Sequence, residues 1–145
     1  MLFRSASYLM GIETPLQMQR DPLMGSLFEN LVVTEAVKAR CNYGSEPNLY
    51  FFRNSKGLEI DLILKENRLL HLFEIKSGKA LNEAFTTNMI KFRKLYDQTI
   101  AQEETHGTVI YSGEHYESYK DFAFRNFHQT EELFKPKETP FVLTF

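Results

Sequence analysis

LEIDLILKENRLLHLFEIKSGK, residues 58 to 79, decides how this chain is read. Two apolar runs, Leu58 to Lys65 and Leu69 to Lys76, flank the turn-forming Glu66-Asn67-Arg68, the pattern of two adjacent strands. In the first, alternation puts Leu58, Ile60, Leu62 and Leu64 on one face and Glu59, Asp61, Ile63 and Lys65 on the other. In the second, Leu69, His71, Phe73 and Ile75 alternate with Leu70, Leu72, Glu74 and Lys76, so Glu74 and Lys76 point the same way. Burying an unpaired charge costs several kcal/mol or forces its neutralisation. An Asp inside one strand and a Glu-x-Lys ending the next therefore need partners or a task.

Upstream, LYFFRN (residues 49 to 54) is a further strand, closed by the hairpin-like NSKG and preceded by the turn NYGSEPN (42 to 48). With short turns between them the three strands form an antiparallel meander. Residues 24 to 41 read as a helix whose apolar arc holds Phe28, Val32, Val33, Ala36 and Ala39, with Glu29 inside that arc. Downstream, Phe85, Met89, Phe92 and Tyr96 recur at helical spacing within a second helix over 81 to 99, whose other side carries Lys91, Arg93 and Lys94. GTVIYSG (107 to 113) is a buried strand expected to run parallel to the strand before that helix. DFAFRNF (121 to 127) is another strand, and HQTEELF a short terminal helix. The aromatic LYFF is expected in the core, and KFRK on a solvated face.

The chain has 145 residues, 43% of them hydrophobic, the usual size of one domain with its own core. Cys41 alone excludes an intrachain disulfide and a thiolate metal cluster and suits a reducing compartment, so the expected location is the cytoplasm. The N-terminal MLFRSASYLMGIETP is too short and too interrupted for a membrane span or a signal peptide. A net charge of −2 gives the whole chain no strong pull toward nucleic-acid phosphates, so a nucleic-acid role is local or shared with a partner.

Adjacent antiparallel strands bring Asp61 close to Glu74 if register and facing agree, with Lys76 one pleat further along. Two carboxylates converging in a partly buried place repel unless a cation lies between them. Mg²⁺ or Mn²⁺, hard ions that take oxygen ligands, meet that need and activate water or polarise a phosphodiester. An ammonium beside the ion orients the water or stabilises charge developing on the phosphate. Glu29 adds a third carboxylate if its helix packs on this face. Against this stand plainer readings: a solvent-facing Glu74–Lys76 ion pair, an Asp61 bonded to a turn amide, and a Glu29 that reaches solvent. His71 lies on the face opposite Glu74, and His106, His115 and His128 have no metal-ligand spacing; none is assigned a role.

A helix Glu (Glu29), a strand Asp (Asp61) and Glu-x-Lys on the next strand (Glu74, Ile75, Lys76), in the order αβββαβ, resemble the PD-(D/E)XK nuclease superfamily. More narrowly, GSLFENLVVTEAVK, LYFFRNSKGLEIDLIL and LLHLFEIKSGK look like the C-terminal domain of bacterial and archaeal AAA-type ATPases, known as domain of unknown function 4143. The resemblance runs from about Tyr8 to about Phe134. It implies an α/β (α+β), restriction-endonuclease-like αβββαβ core, a mixed sheet flanked by helices. It also implies a lead-in resembling the ATPase connector over 1 to 23, the nuclease-like domain over 24 to 135 and a tail over 136 to 145.

The same resemblance implies that Asp61 and Glu74 bind Mg²⁺ or Mn²⁺, with the Ile75 carbonyl as a further ligand, Glu29 supporting the metal and Lys76 assisting the water. Ser77 and Lys79 would approach nucleic-acid phosphate. No GxxxxGK[ST] phosphate loop occurs in the chain, so it is not itself the ATPase but a fragment of a longer protein or a free-standing domain. Ile60 stands where the family's Pro would precede the Asp. Two functions are expected to compete. One is metal-dependent hydrolysis of DNA phosphodiesters, recruited by an ATPase module in cis or in trans. The other is an inactive nuclease-fold module for dimerisation, nucleic-acid binding or partner docking. A homodimer, or FVLTF as a docking strand, fits either; a membrane fits neither.

Overall fold

The computed structural model describes residues 23–97, 104–114 and 116–136, with the backbone alone for 116–119. The expected lead-in up to residue 22, the end of the second helix at 98–99, His115 and FVLTF lie outside the described residues.

Helix α1 (Leu23–Asn42) forms because its apolar positions recur at helical spacing: Phe28, Val32, Ala36 and Ala39 are all buried along one stripe. Strands β1 (Leu49–Arg53), β2 (Glu59–Glu66) and β3 (Leu69–Lys76) follow as the antiparallel meander. The β1–β2 connection is held by the Asn54 side chain, whose Oδ1 accepts from the amides of Lys56 and Leu58, and Gly57 supplies the positive φ of 79°. The β2–β3 turn places Asn67 at φ 54°, a left-handed conformation that Asn tolerates.

A 3₁₀ turn (Glu83–Thr86), capped by the Asn82 side chain on the Ala84 amide, leads into α2 (Thr87–Asp97). The chain returns as β4 (Glu104–Tyr111), then β5 (Tyr116–Tyr119) and β6 (Phe122–Asn126). A second 3₁₀ turn (Phe127–Gln129) and α3 (Thr130–Phe134) complete the described chain. The six strands form one mixed sheet in the order β1-β2-β3-β4-β6-β5. As expected for a strand reached through a helix, β4 runs parallel to β3; β6 is parallel to β4, and β5 pairs antiparallel at the edge.

Two apolar layers cover the sheet. On one face Phe28, Val32, Ala36 and Ala39 of α1 and Phe134 of α3 pack on Leu62, Leu64, Phe73, Ile75 and Ile110. On the other, Met89 and Phe92 of α2 pack on Ile60, Ile63, Leu72, Val109, Phe122 and Phe124. Each large apolar side chain removed from water in this way contributes about 1.5–3 kcal/mol.

Two sequence expectations change here. Strict alternation along β2 put Ile60 with Leu62 and Leu64, but Ile60 packs with Ile63 on the α2 side. The cause is an extra residue in β2. Tyr50 pairs with Ile63 and Phe52 with Ile60, so Asp61 and Leu62 together oppose the single Phe51, and this bulge breaks the alternation. LYFF is not core throughout, because β1 is an edge strand: Leu49 and Phe52 pack inward, whereas Tyr50 and Phe51 are 55% and 78% exposed. One strand has no counterpart in the sequence reading: β5, a short edge strand joined to β6 by a tight turn in which Lys120 has φ 54°.

Candidate functional site

The β2–β3 ladder ends at Leu62–Phe73. Extending that register sets Asp61 opposite Glu74, but there the strands part, while β3 continues against β4 through Glu74–Val109, Ile75–Ile110 and Lys76–Tyr111. In place of the next ladder bond, the Ile75 amide donates to Asp61 Oδ2 at 2.7 Å. The β2 bulge and the parting of the strands thus turn a strand carboxylate into a fixed member of the site.

Lys76 Nζ lies 2.7 Å from Glu74 Oε1 and 3.6 Å from Asp61 Oδ2. The two carboxylates are nearly enclosed, with side chains 10% and 6% exposed for Asp61 and Glu74, while that of Lys76 is 36% exposed. Glu74 Oε2 is buried and has no hydrogen-bond partner. Burial raises the Glu74 pKa to about 7, the Asp61 charge pushes the same way, and the Lys76 hydrogen bond opposes both. For Lys76, burial acts downward but is outweighed by the hydrogen bond to Glu74 and the charges of Asp61 and Glu74, leaving the ammonium above its ordinary value.

Glu29 sits in the first half of α1, half-buried, and burial followed by the charges of Asp61 and Glu59 raises its pKa, with Lys76 acting in the opposite direction. The helix packs on the face that carries Phe73 and Ile75, whereas alternation points Glu74 to the α2 side with Leu72. Glu29 therefore joins the field of Asp61 and Lys76 without being drawn into a three-carboxylate cluster. Among the described residues no group of three or more His, Cys, Asp or Glu is arranged to hold a metal ion.

Ser77 and Lys79 are exposed on the loop beyond β3. The Gly78 carbonyl accepts from the Ser112 amide at 3.2 Å, and a Cβ on Gly113 would lie 2.2 Å from the Lys79 carbonyl, so this loop seats against β4 only because residue 113 is glycine. Lys79 thereby stays close to the end of β3.

Two features escaped sequence reasoning. Glu59, paired with Arg53 at 3.5 Å, adds negative charge felt by both Glu29 and Glu74; its position two residues before Asp61 was the available signal. Arg40, buried at the far end of α1, binds Glu66 at 2.7 Å and the Glu46 carbonyl at 3.4 Å, tying α1 to the β2–β3 hairpin. Nothing in an amphipathic pattern marks an Arg as buried.

The fold and the site describe an α+β domain with a mixed sheet and a bulge-positioned acidic pair bridged by a lysine. The family model of a domain of unknown function (DUF4143) matches residues 24–130, and the chain belongs to that family. No curated protein matches the chain. No helix among the described residues is long and apolar enough to cross a membrane.

Proposed function

We propose that this domain hydrolyses phosphodiester bonds in DNA with a divalent cation, Mg²⁺ or Mn²⁺, as a member of the PD-(D/E)XK nuclease-like superfamily. The observation that carries this reading is Glu74 Oε2, a carboxylate oxygen buried without a partner beside a second carboxylate. A buried anion in that state needs a cation or a proton.

The donor set fits a hard ion. Mg²⁺ is commonly held by one or two carboxylates with water filling the rest of its shell, so Asp61 and Glu74, with the Ile75 carbonyl in addition, suffice without a third acid. When bound, the ion supplies Lewis acidity and a water of lowered pKa. Lys76, already hydrogen-bonded to Glu74, holds its ammonium where it donates to a water or to phosphate oxygens gaining charge. Glu29 acts at one remove, adding negative charge that favours a cation beside Asp61. Exposed Lys79 and Ser77 offer a cation and a hydroxyl to a neighbouring phosphate.

With a net charge of −2, recruitment to DNA falls to a partner, an AAA-type ATPase domain in cis or in trans, or to a second copy in a homodimer. A second reading, an inactive nuclease-fold module for partner or nucleic-acid binding, is favoured by one observation: the Lys76 ammonium already neutralises Glu74 and approaches Asp61. Supercoiled plasmid separates the two. The hydrolytic reading requires nicking with Mg²⁺ or Mn²⁺ that is abolished by chelator and by both Asp61→Asn and Lys76→Met. Folded protein that leaves DNA and RNA intact with either ion transfers the case to the inactive module.

A further inference from the structure

One open edge of the sheet is β1. At its two ends the Asn48 carbonyl accepts from the Lys65 amide and the Asn54 amide donates to the Leu58 carbonyl, each at 3.0 Å. Backbone bonding in an antiparallel ladder alternates from residue to residue, so Tyr50 and Phe52 also turn their N–H and C=O groups to β2, and Leu49, Phe51 and Arg53 turn theirs outward. Among the described residues no strand takes up these outward groups. Edge strands are usually blunted by lysine, proline or a bulge of their own; the middle of β1 instead carries the exposed Tyr50 and Phe51, and the bulge lies in β2.

A second copy of β1 fits this edge in one orientation. Charge along the edge is divided: Glu46 stands exposed just before the strand, Arg53 ends it, and exposed Lys56 follows in the turn. Parallel self-pairing would set like charges side by side, whereas antiparallel pairing about Phe51 sets each Glu46 toward the partner's Lys56. The same register brings Phe51 opposite the partner's Phe51 and Leu49 opposite the partner's Arg53. These are the residues whose backbone groups point outward, so the pairs exchange N–H···O bonds. Between them Tyr50 meets the partner's Phe52. Leu49 packs on the α1 side and Phe52 on the α2 side, so alternation puts Phe51 and Tyr50 on opposite faces, and each exposed aromatic finds an aromatic opposite it.

We infer that the protein self-associates through β1 as a two-fold symmetric dimer, in which antiparallel copies of Leu49–Arg53 join two six-stranded sheets into one. The axis stands perpendicular to the sheet beside Phe51. Asp61, opposite Phe51 across β1 and β2, is then three strand spacings, roughly 14 Å, from the partner's Asp61 and on the same side. On the hydrolytic reading above, the dimer presents two acidic sites to one nucleic acid; the pairing itself stands whether or not those sites cleave. A strand this short buries less than the roughly 800 Å² per partner of a standard interface, so association is reversible, with a Kd in the micromolar range.

Sedimentation velocity of the full chain at low ionic strength, from about 1 to about 300 µM without DNA or metal, tests the pairing. A monomer–dimer equilibrium is expected. Phe51 is exposed, so Phe51→Lys leaves the fold intact, and like charges across the axis weaken the dimer about tenfold or more. Glu46→Lys and Lys56→Glu each weaken association, and the double variant restores it, because the exchanged charges meet only between two copies. The chain lacks tryptophan, so Phe51→Trp supplies a single reporter whose emission shifts to the blue over the concentrations at which the dimer forms. A chain that stays monomeric throughout overturns the inference. In that case, quenching of the Phe51→Trp emission by a single-stranded oligonucleotide would assign the edge to nucleic-acid bases, and emission already blue-shifted in the monomer would assign it to a segment of the same chain. Dimers undisturbed by Phe51→Lys, or not recovered by the charge exchange, use another surface and overturn it as well.

Discussion

Asp61 Oδ2 accepts the Ile75 amide at 2.7 Å just beyond the point where β2 and β3 stop pairing. One oxygen thus does the work of a missing ladder bond and anchors the acidic site to the central strand. Structure and charge at Asp61 separate by substitution. Asp61→Asn keeps an acceptor for the amide, and urea unfolding is expected to place it within about 1 kcal/mol of wild type. Asp61→Ala orphans a buried amide and costs about 1–3 kcal/mol. Equal stability of the two variants would show that the Ile75 bond contributes nothing.

Glu74 makes stability depend on pH in a defined direction. Its folded pKa of about 7 lies above the ordinary 4.5, so the native state holds the proton more tightly than the unfolded chain. The resulting contribution is fully present below about pH 4.5 and is lost as pH rises through about 7, a span on the order of 3 kcal/mol. Glu29, raised for the same first reason, burial, works in the same direction. In Glu74→Gln the fall in stability between pH 5 and pH 8, followed by denaturant melts, should be markedly shallower than in wild type.

At the other end of α1, the Arg40–Glu66 pair at 2.7 Å is enclosed on the Arg side, where the side chain is 6% exposed. Removing one partner of a buried pair leaves an uncompensated charge. Arg40→Met, by stranding Glu66 and the Glu46 carbonyl, is expected to cost about 3 kcal/mol while leaving metal affinity unchanged. Thermal melts and Mn²⁺ titration of the same preparation check both halves.

Gly113→Ala tests the seating of the Lys79 loop. Its Cβ would lie 2.2 Å from a backbone carbonyl, a contact relieved only by moving the loop. Expected are a loss of about 1–3 kcal/mol and weaker DNA contact, read by melting and by binding of labelled duplex. Unchanged binding by a destabilised Gly113→Ala would remove Lys79 from the nucleic-acid surface.

Much of the fold was legible in the residues. The alternation in LLHLFEIK placed β3 at Leu69–Lys76 to the residue, and the Phe28, Val32, Ala36, Ala39 stripe placed the buried side of α1. The β2 bulge was not legible, because LEIDLIL alternates without a glycine or any residue that marks an insertion; only pairing with β1 reveals it. Phe51 misled because its hydrophobicity says nothing about lying on an edge strand, where one side has no layer to pack against. Asp61, Glu74 and Lys76 were found because charge in an apolar strand is conspicuous. Arg40 was not, since it lies in a helical segment where polar residues are ordinary.

Calorimetric titration of Mn²⁺ at pH 8 into wild type and Glu74→Gln tests the central claim most directly, since at that pH Glu74 is largely ionised and cation binding is not opposed by its proton. The account predicts one site in wild type that weakens at pH 6, where Glu74 holds its proton, and is lost in Glu74→Gln. A wild-type protein that takes up no Mn²⁺ at pH 8, or a Glu74→Gln variant that binds it equally well, would contradict the account.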